Sequence, residues 1–435
     1  MRIAVPFIPV FFVALFIAYP DLGEPRPRTR STDWIAEMRN GAWLDQTGRY
    51  AEAEPVFAAI APMLQDTTSL PADDPIRAEL ANDLAAHAHR LGRYEEAESL
   101  YLQAIGIWRK AEGEDARRNR ALAIGNLAAL DRARGKFAEA ESLYREELDT
   151  LEQVGARQTG SYVIALNNFA ELQRSQGNLR QAEALARQAV AASGQLPKGS
   201  AEDAGVAAHT LGVVLKSEGK LEEADRVMRN VLEGWRQSAT PNRIRVAVAL
   251  GNLADIRCAE GRCEEAVALS RESLAIRREV LGATHPDVAI NLNNLGFIQR
   301  KLKDYAAAET SFLDAIRVGE TSMGKTHPEL ANFMANLGML EAERGRLPAA
   351  EQWLTRAMSI LEQDFGPSDT RTLLVRLQLA QVYQAAGRYT AAERIYRTAL
   401  PLLSDSCLAR DARVQQARGN YERLLAVIHG KSKRG

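Results

Sequence analysis

GRYEEAESLY, spanning Gly92–Tyr101, returns as GKFAEAESLY at Gly135–Tyr144 and as GRYTAAERIY at Gly387–Tyr396. The alanine at the centre of the phrase belongs to a series of nine: Ala53, Ala97, Ala140, Ala182, Ala224, Ala266, Ala308, Ala350 and Ala392. Its first two steps are 44 and 43 residues, and each later step is 42. A fixed period of this length marks a solenoid, in which each repeat stacks only on its neighbours. Lengthwise growth also accommodates 435 residues, where a globular chain would divide into several cores.

The unit His285–Met323 shows how one repeat is built. Thr284-His285-Pro286-Asp287 opens a helix, with Thr284 or His285 at the N-cap, proline in the first turn and an acid at the positive end of the dipole. Val288, Ile290, Leu292, Leu295, Ile298 and Leu302 follow at helical spacing. A turn then leads to a second helix carrying Ala308, Phe312, Ala315 and Ile316 on one face. Other repeats place glycine in this turn, as at Gly92, Gly135 and Gly345, where a left-handed C-cap suits it. Lys303 occupies the same place, so it must accept that conformation or use a different turn.

A hairpin of two helices leaves one apolar face wet, and stacking the next hairpin buries it. The first helices carry a second small series, Gly41, Ala85, Ala128, Ala170, Gly212, Ala254, Gly296, Gly338 and Ala380. A larger side chain there would force the two helices of a hairpin apart. Leu84, Leu127, Phe169, Leu211, Leu253, Leu295, Leu337 and Leu379 stand one residue earlier as knobs of a continuous core.

Small residues twelve apart, a glycine between them, the LNNLG phrase at Leu292–Gly296 and the GxTHPD/E junctions at Gly282–Asp287 and Gly324–Glu329 resemble the tetratricopeptide repeat in its kinesin-light-chain-like, 42-residue subclass. The resemblance covers Thr32 to Leu403. It implies an all-α, right-handed superhelical solenoid of about nine helical hairpins, with a concave groove lined by the first helices. Residues 32–404 form the expected array and residues 405–429 the expected capping helix, centred on Asp411–Ile428. Gly419 falls in the middle of that segment, which leaves a short tenth hairpin as the alternative. Residues 430–435 read as a free basic tail. The first repeat departs most from the pattern, with Arg39 and Asn40 in places that are otherwise polar amide and leucine.

One polar series interrupts the apolar first helices: Asn126, Asn168, Thr210, Asn252, Asn294, Asn336 and Gln378, all 42 apart. Asparagine is a mediocre helix former, so its recurrence needs a reason outside propensity. The resemblance implies an asparagine ladder whose amides, each both donor and acceptor, grip the backbone of an extended peptide. The competing reading is structural, with each amide bonding the adjacent repeat and setting the pitch. Asn293 and His209 stand beside the ladder and complete the candidate peptide-binding set. Glu171, Asp255, Phe297, Met339 and Gln381, three residues further on, would tune specificity. A histidine at 209 is expected to be solvated in the groove.

No nucleotide loop, nucleophile elbow, zinc-protease motif or dinucleotide fingerprint occurs. His285 and His327 sit at repeat junctions and read as capping residues rather than a metal pair. His87 and His89, two apart on one helix, point to different faces and do not chelate together. The five tryptophans do not recur in register and are expected to be packing residues. No cofactor and no catalysis are expected. Lys and Arg number 55 against 56 Asp and Glu, which gives no global attraction to nucleic acid. The expected role is a non-catalytic scaffold binding an extended peptide of a protein partner. The alternative is a structural spacer or assembly subunit of an envelope complex, using its convex face or ends.

Arg2 followed by an uncharged apolar run to Pro20 reads as an export signal or, uncleaved, as a membrane tether, with residues 21–31 as a Pro/Arg linker. A periplasmic or extracellular location follows as an expectation. Cys258 and Cys263 lie five apart across a hairpin turn. An oxidising compartment could pair them, but two helical cysteines need not have compatible geometry, and Cys263 also fits a core slot.

Overall fold

The computed structural model describes residues 33–46, 50–66, 71–196, 201–238, 242–404 and 412–432. Nineteen α-helices and two short 3-10 turns occur among them, with no strand. Odd-numbered helices are the first of each hairpin: α1 Asp33–Gln46, α3 Pro75–Arg90, α5 Glu114–Ala133, α7 Gly160–Ser175, α9 Ala201–Ser217, α11 Arg243–Ala259, α13 Pro286–Lys301, α15 Pro328–Glu343 and α17 Thr370–Ala385. Even-numbered helices follow as the second: α2 Tyr50–Ile60, α4 Tyr94–Lys110, α6 Phe137–Gln153, α8 Leu179–Ser193, α10 Leu221–Gln237, α12 Cys263–Leu281, α14 Tyr305–Met323, α16 Leu347–Phe365 and α18 Tyr389–Ser404. The last helix, α19 Ala412–Ser432, stands alone. The fold is a helical-repeat solenoid of nine hairpins and a terminal helix.

Two compact units divide the array, one ending at Ile256 and the other beginning at Arg257. Within each, first helices of successive hairpins pack on one another, as α3 does on α5 and α13 on α15. Successive second helices show no comparable packing among the described residues. First helices therefore lie on the inner side of each stack.

All nine signature alanines are fully buried. The second small series faces large side chains: a β-carbon added to Gly296 would meet the Phe312 ring at 2.9 Å. In the second unit one cluster runs from Leu274 to Val382 without interruption. A further cluster joins α17 and α18 to Val414, Ala417 and Leu424 of α19, so the terminal helix covers the last stacking face. Gly419 does not break it, and no tenth hairpin forms among the described residues. Residues 430–432, expected to be tail, continue this helix, while 433–435 lie outside the described residues.

Lys303 keeps the standard turn and accepts its conformation. Its φ is 62°, beside 76° at Gly92 and 77° at Gly345. The bonds match as well: Lys303 N donates to the Arg300 carbonyl at 2.9 Å and Asp304 N to Gln299 at 3.0 Å, as Gly92 and Arg93 do to His89 and Ala88. His285 and His327 are N-caps, each Nδ1 accepting from the backbone N–H two residues on, at 3.0 and 3.2 Å.

An ion pair stitches successive hairpins in register. The cation after the turn glycine meets the acid after the preceding signature alanine: Lys136 with Glu98 at 3.0 Å, Lys220 with Glu183 at 2.9 Å, Arg346 with Glu309 at 3.1 Å and Arg388 with Glu351 at 2.7 Å. Arg93 and Glu54 make the same pair. Such partly exposed pairs contribute about 0–1 kcal/mol each, so they fix register more than stability.

Cys258 and Cys263 form a disulfide across the α11–α12 turn. The geometry that the sequence left open is therefore compatible, because the turn brings the end of one helix beside the start of the next. No helix among the described residues is long and apolar enough to cross a membrane. The expected signal at 1–20 and linker at 21–31 lie outside them.

Candidate functional site

The polar series sits on the inner helices, and three of its six amides bond the neighbouring repeat there. Asn126 Nδ2 donates to Asn82 Oδ1 at 3.1 Å, and Asn336 Nδ2 donates to Asn293 Oδ1 at 2.7 Å. Asn252 bonds His209 Nε2 in the same way. In each case a ladder residue reaches the residue before the ladder position of the preceding repeat. The six side chains of these pairs are buried. Burying an amide requires partners, and the neighbouring repeat supplies them. For Asn126, Asn252 and Asn336, and for Asn293 and His209 as their acceptors, the structure thus displays the inter-repeat role.

His209 corrects an expectation. It is buried rather than solvated, and it lies 6.1 Å from the Trp235 ring. Burial lowers its pKa to about 4, so it is neutral and its ring nitrogen can accept.

The remaining ladder positions differ. Thr210 is too short to reach the preceding repeat, and its hydroxyl donates to the Val206 carbonyl at 3.3 Å. Asn167, which would be its partner, is buried with neither amide atom bonded. Asn168 is half-buried. Asn294 is half-buried, accepts from Asn293 Nδ2 at 3.3 Å, and its own amide nitrogen donates to nothing among the described residues. Gln378 is buried with its Oε1 lacking a partner, and Ala335, which stands in the place of Asn293, offers it no polar group.

The specificity row is mostly neutralised from within. Glu171 binds the Arg174 guanidinium, Nε to Oε1 being 2.8 Å. Asp255 accepts from Lys216 Nζ at 3.4 Å, and burial pushes both members of that pair toward their neutral forms. Phe297 is half-buried, Met339 is buried, and Gln381 has a buried Oε1 without a partner.

Sequence reading missed a polar knot between the first two hairpins. Both ring nitrogens of His87 bond carboxylates, Nδ1 to Asp45 at 2.8 Å and Nε2 to Glu54 at 2.7 Å. His89, two residues on, lies against the Tyr94 ring instead. Trp108 and Trp235 are packing residues as expected, whereas Trp43 is 51% exposed. Among the described residues no group of three His, Cys, Asp or Glu side chains is arranged to hold a metal.

Solved structures share this architecture. A Rap protein complexed with competence and sporulation factor matches over 85% of this chain and 97% of its own, with 15% identity and a TM-score of 0.54. The apo quorum sensor NprR from B. thuringiensis matches over 86% and 97%, with 14% identity and a TM-score of 0.51. BtubC (BKLC) from P. vanneervenii is similar over 56% of this chain and 93% of its own, with 22% identity and a TM-score of 0.44. No curated protein matches the chain. The tetratricopeptide repeat profile matches residues 76–153, 119–195, 245–321, 287–363 and 329–405. With nine hairpins in one register and that profile across most of its length, the chain belongs to the tetratricopeptide repeat family.

Proposed function

We propose that the protein is a non-catalytic scaffold that holds an extended segment of a protein partner against the inner face of its first helices. The observation that carries this is Asn294: a ladder amide, half-buried on the inner side, with its donor uncommitted. The closed rungs beside it hold the repeats in register, which presents that amide on a rigid support. A rigid, pre-ordered surface lowers the ordering cost of capture. The Rap protein of the same fold was solved with competence and sporulation factor, which is compatible with ligand capture by such an array.

We also propose an exported location. Arg2 with the apolar run to Pro20 supports it, and so does the Cys258–Cys263 disulfide, since disulfides persist in oxidising compartments.

A second reading, as an assembly subunit using its outer face, draws on exposed Leu102, Leu313 and Leu402 of the second helices. They are single residues rather than a contiguous patch, so the inner face is preferred. A photo-cross-linking residue placed at Phe297 or at Leu313 of the full chain separates the two in cells. The scaffold reading expects a partner adduct from position 297. Adducts from 313 alone would transfer the role to the outer face.

A further inference from the structure

In the α11–α12 hairpin a covalent bond stands where other repeats make a packing contact. Cys263 opens α12 in the slot that holds Tyr94, Phe137, Tyr305, Leu347 and Tyr389 elsewhere. Each of those side chains packs against its core cluster. Cys258 takes the place of Arg132, Arg174, Lys216 and Arg300 near the end of the first helix. His89 and Tyr94 occupy the same two places on α3 and α4, with their rings 5.9 Å apart. Here the Cys258–Cys263 disulfide replaces such a pair. A thiol at 263 is smaller than any side chain it stands in for, so without the bond the slot is underfilled. Cys258 is half-buried, while Cys263 is 8% exposed.

The junction that follows depends on where this bond holds α12. At most junctions an ion pair or an amide rung ties successive hairpins. Between this hairpin and the next, Val267 and Asp304 stand in the two places of the ion pair. Gly251 stands in the place of Asn293 and has no side chain to meet Asn294. Contact with the following hairpin therefore falls to α12. Leu274 joins the apolar cluster of α13 and α15. Arg277, fully buried, pairs with Asp287 at 2.8 Å, and Asn291 donates to Ser273 Oγ at 2.7 Å. Such polar contacts weaken steeply once their geometry is lost.

We propose that the α11–α12 turn is a thiol–disulfide switch whose substrate is a dithiol. A thiolate of the incoming dithiol attacks Cys258 Sγ, the S–S bond breaks, and Cys263 departs as a thiolate that takes up a proton. The second thiol of the reductant then resolves the mixed disulfide and releases Cys258. Two electrons and two protons pass from the dithiol, which becomes a disulfide, to the cysteine pair, which ends as two thiols. Closed, the bond fixes the start of α12. Open, the underfilled slot loosens α12 and its contact with α13. In an oxidising compartment the switch stands closed until a dithiol reaches it.

Millimolar dithiothreitol added to the native full chain tests this. Alkylation followed by mass spectrometry should find both Cys258 and Cys263 modified. Hydrogen exchange of the α12 amides should rise about thirtyfold, the loss expected for a short closed loop. Exchange in α16, whose hairpin is tied on both sides through Arg346–Glu309 and Arg388–Glu351, should stay as it was. Cys258→Arg with Cys263→Tyr installs the pair that α13 and α14 carry as Arg300 and Tyr305. That variant should exchange as slowly as the oxidised chain and ignore the reductant. Cys258→Ser with Cys263→Ser should exchange like the reduced chain with no reductant present. A bond that yields only after denaturation, or α12 exchange that reduction leaves unchanged, overturns the proposal. An equal acceleration by dithiothreitol in the Arg/Tyr variant would place its effect elsewhere and overturn it too.

Discussion

The carboxyl group of Glu147 fills the space into which a β-carbon on Gly125 would project. Such a carbon would lie 2.3–2.5 Å from all three carboxyl atoms. In most other hairpins the second-helix position of Glu147 is small, as at Ala104, Ala189, Ala315, Ala357 and Ala399. The first-helix position of Gly125 is polar in four other hairpins, at Asn82, Asn167, His209 and Asn293. One repeat has exchanged the two roles, sending a carboxyl from α6 where α5 has no side chain. Its Oε2 is buried without a partner.

Gly125→Ala should therefore destabilise the first unit by about 1–3 kcal/mol, because the new methyl group collides with the carboxyl. Glu147→Ala in the same chain should remove that cost, so the double variant melts above the Gly125→Ala single variant. Thermal melts of the four-member cycle measure the coupling. Additive effects would mean that the two positions do not share space.

Burial with no compensating charge pushes the Glu147 carboxyl well above its ordinary value of 4.5. Below the ordinary value both folded and unfolded chains hold the proton, and the full stability is present. As pH rises past it, the unfolded chain releases the proton while the folded chain keeps it, so stability falls until the folded group also ionises. The slope in that window is about 1.4 kcal/mol per pH unit for one such group. Glu147→Gln should flatten the decline of melting temperature above pH 4.5 by that group's share. Buried Asp83, also pushed up by desolvation, should leave a residual slope. An unchanged pH profile in Glu147→Gln would contradict this assignment.

Lys303 is the one non-glycine residue with positive φ among the described residues, and the left-handed region costs an L-residue about 1–2 kcal/mol. Lys303→Gly should raise stability by about 1 kcal/mol, after the added flexibility of glycine in the unfolded chain is offset. Chemical denaturation of the full chain checks it. A loss of stability would show that the lysine makes a compensating contact.

The Cys258–Cys263 bond should leave one free thiol of three in the denatured, unreduced protein, since Cys407 is the remaining cysteine. Alkylation followed by mass spectrometry counts it. Reduction should cost about 2 kcal/mol of stability through the freed turn. Three alkylated cysteines in protein taken from its native compartment would argue against both the bond and the exported location.

Most of the architecture was legible because small residues at close contacts cannot be disguised. Ala308 and Gly296 recur in register since two helices meet there and Phe312 tolerates nothing larger. The cross-repeat ion pairs also leave a trace in the sequence, a cation after most turn glycines and an acid after most signature alanines, but each partner lies one repeat away. Only stacking reveals the pair. The His87 knot escaped for a related reason: Asp45 and Glu54 belong to the preceding hairpin, and neither Asp45 nor His87 repeats.

The ladder marks the division most sharply. Its 42-residue spacing already required that Asn126, Asn252, Asn294 and Asn336 share one face, because period and helical geometry leave no other arrangement. Whether an amide faces a ligand or its neighbour depends on the side chain in the preceding repeat, on how far it reaches, and on whether burial demands a partner. Those are distances and accessibilities, and they belong to the packed array. Asn336 was closed by Asn293, Gln378 was left open by Ala335, and no property of either ladder residue alone distinguished them.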